Sequence, residues 1–112
     1  MIVSPLVPRS RQLPSPQDLI LAALNAEMAR SGAELLEQSE PAIVHSTSGL
    51  EGRRVEVRLR RPDGKVERRA YVMYQDRSWM YGVHYIADED TWAAFLDVFD
   101  RTASSVKPMP AA

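Results

Sequence analysis

The sequence predicts an α+β domain in which an antiparallel sheet of three to five strands is packed by an N-terminal and a C-terminal helix. Residues 53–86 read as three consecutive strands joined by two tight turns. A serine-capped helical pattern begins at Pro16, and an aromatic helical stripe follows Asp88. The predicted core order is therefore α-β-β-β-α, within a single domain over residues 16–107.

The first predicted strand covers residues 53–61 and alternates polar with apolar side chains, with Val55 among the apolar ones. Asp63-Gly64 favours a two-residue turn into a second strand over residues 65–74. In that register the apolar face combines Val55, Val57 and Leu59 with Val66, Ala70, Val72 and Tyr74. A glycine bulge in the turn is the alternative, and it moves Tyr71 and Met73 to the Val55 face.

The third predicted strand covers residues 78–87, which are rich in aromatic and β-branched residues. A two-residue turn at Asp76-Arg77 pairs Val72 with Tyr81. The opposite face of this hairpin then carries an apolar patch of Tyr71, Met73, Met80 and Ile86. Such side chains suit an adaptable docking surface for a protein partner. Cover by the first helix would explain the same patch equally well.

Both helices have recognisable ends. The first is predicted over residues 16–31, with Ser15 as its N-cap and Gly32 as its stop. The second is predicted to begin after an Asp88 N-cap and to end before Pro108. Its sheet-facing stripe is predicted to comprise Trp92, Phe95, Leu96, Phe99, Ala103 and Val106.

The remaining segments carry weaker patterns. Residues 1–15 contain three prolines and are expected to form a loose arm, with a short edge strand over residues 1–7 as the alternative. Residues 33–37 fit either a prolonged first helix or a short strand, and residues 42–45 fit another short strand. Residues 108–112 are expected to form a short C-terminal tail.

Composition narrows the class of protein. The 112 residues suffice for one core but not for two, and the absence of cysteine excludes disulfides and thiolate metal sites. No apolar run approaches the ~18 to 20 residues of a membrane span, and residues 1–5 lack the pattern of a secretory signal. We therefore expect a cytoplasmic protein without a membrane span.

Positive charge is concentrated on the first hairpin, although the whole chain has a net charge of −1. Residues 53–69 contain three acids and eight cationic residues: Arg53, Arg54, Arg58, Arg60, Arg61, Lys65, Arg68 and Arg69. They suggest an alternative function in nucleic-acid or anionic-surface binding. The element order resembles that of double-stranded RNA-binding domains, but three acids at residues 88–90 would repel phosphates where those domains need positive charge. Nucleic acid is therefore not the expected partner, and cross-strand Arg–Glu pairing explains the cations.

No residue pattern indicates catalysis, a metal or a cofactor. His45 and His84 have no partner at metal-ligand spacing, and an acid–base pair of His84 with Asp88 is the one enzymatic hypothesis. The acids at residues 88–90 suit the positive end of a helix dipole and lack the glycine of a calcium loop. Glycine-rich phosphate loops and nucleophile motifs are absent. We expect a non-enzymatic protein without a cofactor.

The order of short motifs over roughly residues 17–108 resembles the PsbP/DcrB-like group. The resemblance is carried by residues 32–37 (GAELLE), 50–55 (LEGRRV), 79–85 (WMYGVHY), 87–89 (ADE) and 104–106 (SSV). Members have an antiparallel sheet sandwiched by helices and generally serve as non-enzymatic adaptors. They include assembly subunits, small-GTPase-binding proteins and chaperones that hold apolar helices of secretion effectors.

The resemblance implies a protein-binding adaptor or chaperone-like module that uses a sheet face. No functional residue belongs to the whole group, so the candidate contacts remain the apolar patch Tyr71, Met73, Met80 and Ile86. The chain departs from the group at its start, where members place two or more strands before the first helix. We therefore expect a smaller sheet with an exposed edge that a second copy can cover, which makes a homo-oligomer possible.

Overall fold

The computed structural model describes residues 2–3, 7–8 and 15–109, the first two pairs by their backbone alone. The elements in chain order are β1 (Ile2–Val3), β2 (Val7–Pro8), α1 (Pro16–Ser31), β3 (Glu34–Gln38), β4 (Ala42–His45), β5 (Glu51–Arg60), β6 (Val66–Gln75), β7 (Trp79–Asp88) and α2 (Trp92–Ser104). The predicted α+β class is confirmed, with a helix on either side of the three long strands in sequence.

One antiparallel sheet contains all of the described strands, and β6 lies at its centre. β5 and β7 flank β6, and the two outer positions are each shared by two short strands. β1 and β2 pair with β7, whereas β3 and β4 pair with β5. The sheet is therefore five positions wide, the upper end of the predicted range.

Two pieces of the N-terminal segment are strands. The loose arm is the wrong expectation for residues 2–3 and 7–8, and the alternative of an edge strand is the one found. Residues 1, 4–6 and 9–14 of that segment lie outside the described residues. Residues 34–38 form a strand instead of prolonging the first helix, because the left-handed Gly32 (φ 73°) ends α1 before them.

The first hairpin has a three-residue loop, so the two-residue turn predicted for it is wrong. Arg61 and Lys65 close the loop, with the Arg61 N–H donating to the Lys65 carbonyl at 2.9 Å. Gly64 takes the positive φ of 87° that such a loop requires at its last position. The extra residue shifts the pairing by one and sets Val55 opposite Tyr71, as the bulged alternative predicted.

The second hairpin turns one residue later than predicted, at residues 77–78. The Asp76 N–H donates to the Trp79 carbonyl at 3.0 Å, and the Asp76 carboxylate accepts from the Ser78 and Trp79 N–H groups. Val72 therefore pairs with Val83 instead of Tyr81. Because this offset shifts the pairing by two residues, each side chain of β7 keeps its predicted face relative to those of β6.

The bounds of α1 agree with the prediction, but those of α2 do not. Ser15 caps α1 by accepting the Asp18 N–H at 3.2 Å, and Gly32 closes it through an N–H donated to the Met28 carbonyl. The Asp88 N-cap predicted for α2 is wrong, because β7 extends through Asp88 and Thr91 is the N-cap. α2 therefore begins about one turn later than expected.

The two helices cover opposite faces of the sheet, and each face has its own core. The core under α1 comprises Ile20, Leu24, Val55, Val57, Leu59, Tyr71, Met73 and Met80. The core under α2 comprises Leu50, Ala70, Val72, Tyr74, Tyr81, Val83, Tyr85, Trp92, Phe99 and Ala103. Cover on both faces explains why β6 is buried almost throughout.

Candidate binding groove

The apolar patch predicted as a docking surface lies mostly beneath α1. Tyr71, Met73 and Met80 are buried in the core under that helix, and Ile86 is half-buried farther along β7. Of the two explanations of the patch, cover by the first helix is the one found. The three buried side chains can contact a partner only if α1 moves away.

The cations of the first hairpin are largely engaged within the protein. Arg58 bridges Glu37 and Glu89 at 2.7 Å each, and its hydrogen bond to Glu37 raises the pKa of the guanidinium above its ordinary value. Further ion pairs join Arg53 to Glu51, Arg54 to Asp100, Arg60 to Glu34, Arg61 to Asp88 and Arg69 to Glu67, and Arg68 lies over the ring of Trp92. A phosphate would have to displace these partners, so the surface offers little free positive charge.

A buried polar network lies beside the core under α1. Arg69 donates from Nε to Glu67 at 2.6 Å, and its other nitrogens reach Tyr71 Oη at 3.3 Å and Glu27 at 3.4 Å. Burial opposes the charge of Arg69, but the hydrogen bonds to Tyr71 and Glu67 outweigh it and hold the pKa of Arg69 above its ordinary value. The network is structural in character, because its carboxylates accept hydrogen bonds from a guanidinium within the fold.

The hypothetical acid–base pair of His84 and Asp88 is not assembled. His84 packs edge-on against Tyr71 with ring centroids 4.8 Å apart, and burial, followed by the charge of Arg69, lowers the pKa of His84. Asp88 instead contacts Arg61 at 3.4 Å. Four residues of extended strand separate the two Cα positions by about 13 Å.

An apolar groove lies between the C-terminal half of β7 and one flank of α2. It has a volume of about 470 Å³ and is lined by Tyr85, Ile86, Ala87, Thr91, Phe95 and Val98. Phe95 is 59% exposed and Val98 is 42% exposed. Two large apolar side chains one turn apart on a helix are thus presented to solvent beside a sheet edge.

Phe95 was predicted to face the core as part of the α2 stripe, and that prediction is wrong because its side chain is mostly exposed. Trp92, Phe99 and Ala103 occupy the centre of the buried stripe. Phe95 lies about 60° around the helix from Trp92. The opposite flank of α2 faces β5, where Asp100 pairs with Arg54 at 2.7 Å. Phe95 is exposed because it overhangs residues 85–87 of β7, beside which no described strand lies.

The floor of the groove is rigidly built. The Tyr85 ring stacks on Trp92 with centroids 4.5 Å apart and on Phe99 at 5.5 Å. Its buried hydroxyl donates to the Trp92 carbonyl at 2.7 Å, which ties β7 to the first turn of α2. These contacts hold the two walls of the groove at a set separation.

Three acids stand near the end of the groove at which α2 begins. Asp88 pairs with Arg61 and Glu89 pairs with Arg58, so both charges are balanced within the fold. Within residues 15–109 the carboxylate of Asp90 makes neither an ion pair nor a side-chain hydrogen bond. Among the described residues, the charge of Asp90 is therefore not balanced by an ion pair, and Asp90 lines a neighbouring cleft together with Lys65.

No protein-family model matches the chain, and no curated protein and no solved structure shows significant similarity to it. Neither described helix combines the length and the apolarity that crossing a membrane requires. Among the residues that the structure describes, no three His, Asp or Glu side chains gather into a potential metal site. Among the described residues, the groove combines an apolar lining with the exposed side chains of Phe95 and Val98.

Proposed function

We propose that this protein is a non-enzymatic protein-binding adaptor whose partner docks in the groove between β7 and α2. The exposure of Phe95 and Val98 carries the proposal. Aromatic side chains in a concave apolar site are typical anchors of protein interfaces. The proposal agrees with the adaptor role that the resemblance to the PsbP/DcrB-like group implies, but it moves the contact from a sheet face to the side of α2.

The rigid floor supports a binding role. Tyr85 is held by two aromatic neighbours and by the hydrogen bond to the Trp92 carbonyl. A preformed site loses less conformational entropy on binding than a mobile one, so more of the contact energy contributes to affinity. We also propose a cytoplasmic location, which a chain without cysteine permits because it needs no disulfide.

The proposal is tested by capture of partners from native cells with the full chain immobilised as bait. We expect Phe95→Asp to reduce recovery of the specific partner by at least about tenfold, because a buried carboxylate would replace an aromatic anchor. The measurement is quantitative mass spectrometry of the captured proteins, after circular dichroism shows that the variant is folded.

Ile43→Asp is the matched control. Ile43 is 62% exposed and lies on β4, at the opposite side of the sheet. It introduces the same charge at a similarly exposed apolar residue, and we expect recovery to remain within about twofold of the parent protein. Equal losses for both variants, or no loss with Phe95→Asp, would contradict a partner site in the groove.

A further inference from the structure

We infer that the partner segment is an extended strand with alternating apolar residues and a basic end, which adds to the outer side of β7. The inference rests on the proposed function and names the ligand of the same groove. It follows from the hydrogen-bonding groups of β7, from the position of the groove beside them, and from the charge at the end of the groove.

The backbone of β7 directs hydrogen-bonding groups away from β6 at its even-numbered residues. The Glu89 N–H donates to the Val66 carbonyl at 3.1 Å, and the Asp76 N–H donates to the Trp79 carbonyl at 3.0 Å. In an antiparallel ladder, these two bonds imply that the odd-numbered residues of β7 exchange backbone hydrogen bonds with β6. The N–H groups of Ile86 and Asp88 therefore face the outer side of the sheet.

Among the described residues, β1 and β2 occupy only part of that outer side. β1 pairs with β7 at Val83 and His84, and β2 pairs with it at residues 79–80. No other described strand pairs with β7 on this side. Among the described residues, 85–88 therefore present about 13 Å of strand with backbone groups to which an extended segment can bond.

The groove lies directly beside this open stretch. A strand that pairs with residues 85–88 would direct every second side chain to the α2 side of the sheet, where Phe95 and Val98 are exposed. Backbone bonds would supply affinity, and the groove would select apolar side chains at alternate positions. A docked helix would leave the N–H groups of Ile86 and Asp88 without sheet partners.

The charge at the end of the groove favours a basic segment over a second copy of this chain. Asp90 makes no ion pair among the described residues, and it follows Asp88 and Glu89 directly. A lysine or arginine at the end of the partner segment would complement this charge. Two-fold pairing of β7 with itself would instead set residues 85–88 of the second copy against this stretch, and they contain neither lysine nor arginine.

Selection from a phage-displayed library of random peptides, against the full chain and against Phe95→Asp, tests the inference. We expect Phe95-dependent peptides with apolar residues at every second position and Lys or Arg at one end. In the tightest of these peptides, N-methylation of successive backbone nitrogens is expected to weaken binding by at least about tenfold at alternate positions only. That period of two is the signature of strand addition.

Amide hydrogen exchange of the ¹⁵N-labelled full chain with the same peptide supplies the second readout. We expect slower exchange at the N–H groups of Ile86 and Asp88, whereas the Ala87 N–H is already bonded within the sheet and serves as the internal control. Binding that depends on Phe95 without protection of Ile86 and Asp88, or with acidic or helix-periodic peptides, would overturn the inference and leave the proposed function standing.

Two further outcomes would contradict the groove as a partner site or the basic strand as its ligand. If no selected peptide depends on Phe95, both the inference and the groove as a partner site fail. If sedimentation shows a dimer that Phe95→Asp dissociates, the occupant is a second copy and the basic strand is the wrong ligand.

Discussion

The two faces of the sheet are both covered by a helix, but they are held in different ways. Under α2 the core is aromatic, with Phe99 fully buried and Tyr85 stacked on Trp92. Under α1 the core is aliphatic around Ile20 and Leu24 and is bordered by the buried Glu67–Arg69 pair. One face relies on packing of large rings, and the other combines packing with a charged network.

The difference also appears in what each helix exposes. Among the described residues, the large exposed apolar side chains are Leu35, Ile43, Phe95, Val98 and Met109, and none of them belongs to α1. α1 therefore serves as cover, whereas α2 has a buried stripe and an exposed apolar flank, which is the proposed contact. Phe99 of the stripe and Phe95 of the flank lie four positions apart.

The largest effect is expected from the two phenylalanines of α2. Phe99→Ala should lower the free energy of unfolding by about 3 to 5 kcal/mol, because it removes a fully buried ring and leaves a cavity. Phe95→Ala should lower it by less than about 1 kcal/mol, because most of that ring is exposed. Urea unfolding followed by circular dichroism measures both, and similar losses would contradict the division of α2 into two sides.

A smaller effect is expected from the charged network on the opposite face. Arg69→Met should cost about 3 kcal/mol, because it leaves the buried Glu67 carboxylate without its 2.6 Å partner. The double variant Glu67→Met/Arg69→Met removes both charges, so it should lose less free energy of unfolding than Arg69→Met alone. Arg60→Met is the control, since the exposed Arg60–Glu34 pair is worth less than about 1 kcal/mol. A double variant less stable than Arg69→Met would show that the network contributes net stability.

The smallest effect is a pH dependence that comes from His84, which packs against Tyr71 on the α1 face. Burial and the charge of Arg69 lower the pKa of His84 in the folded protein, so the unfolded chain binds a proton more readily there. Stability is therefore expected to fall as pH decreases below about 6.5 toward the folded-state pKa. Unfolding curves across this range measure the slope, and His84→Gln should reduce it. An unchanged slope in that variant would assign the dependence to another group.

Local patterns predicted much of the fold because they act over a few residues. Ser15 and Gly32 defined α1 to the residue through capping and a left-handed stop. The alternation around Val55 identified β5, and the aromatic run identified β7. These signals depend on the steric and hydrogen-bonding preferences of neighbouring residues, which the sequence displays directly.

The candidate site was harder to predict from the sequence than the fold was. Phe95 has the same spacing signal as the buried residues of α2, and only the position of the sheet edge decides that it is exposed. The spacing of Phe95 and Val98, on one flank of the line through Trp92 and Phe99, was the available hint. The apolar patch at Tyr71 and Met73 was identified correctly as apolar, but its cover by α1 is a tertiary contact.

By itself, the sequence determined the helices, the three long strands and the absence of any thiol chemistry. Only the tertiary structure decided the register of the first hairpin, the intramolecular partners of the arginines and the exposure of Phe95. The physical reason is distance along the chain. Caps and alternating side chains act within a turn or a strand, whereas burial and ion pairing depend on residues such as Arg58 and Glu89 that meet only when the sheet and both helices assemble.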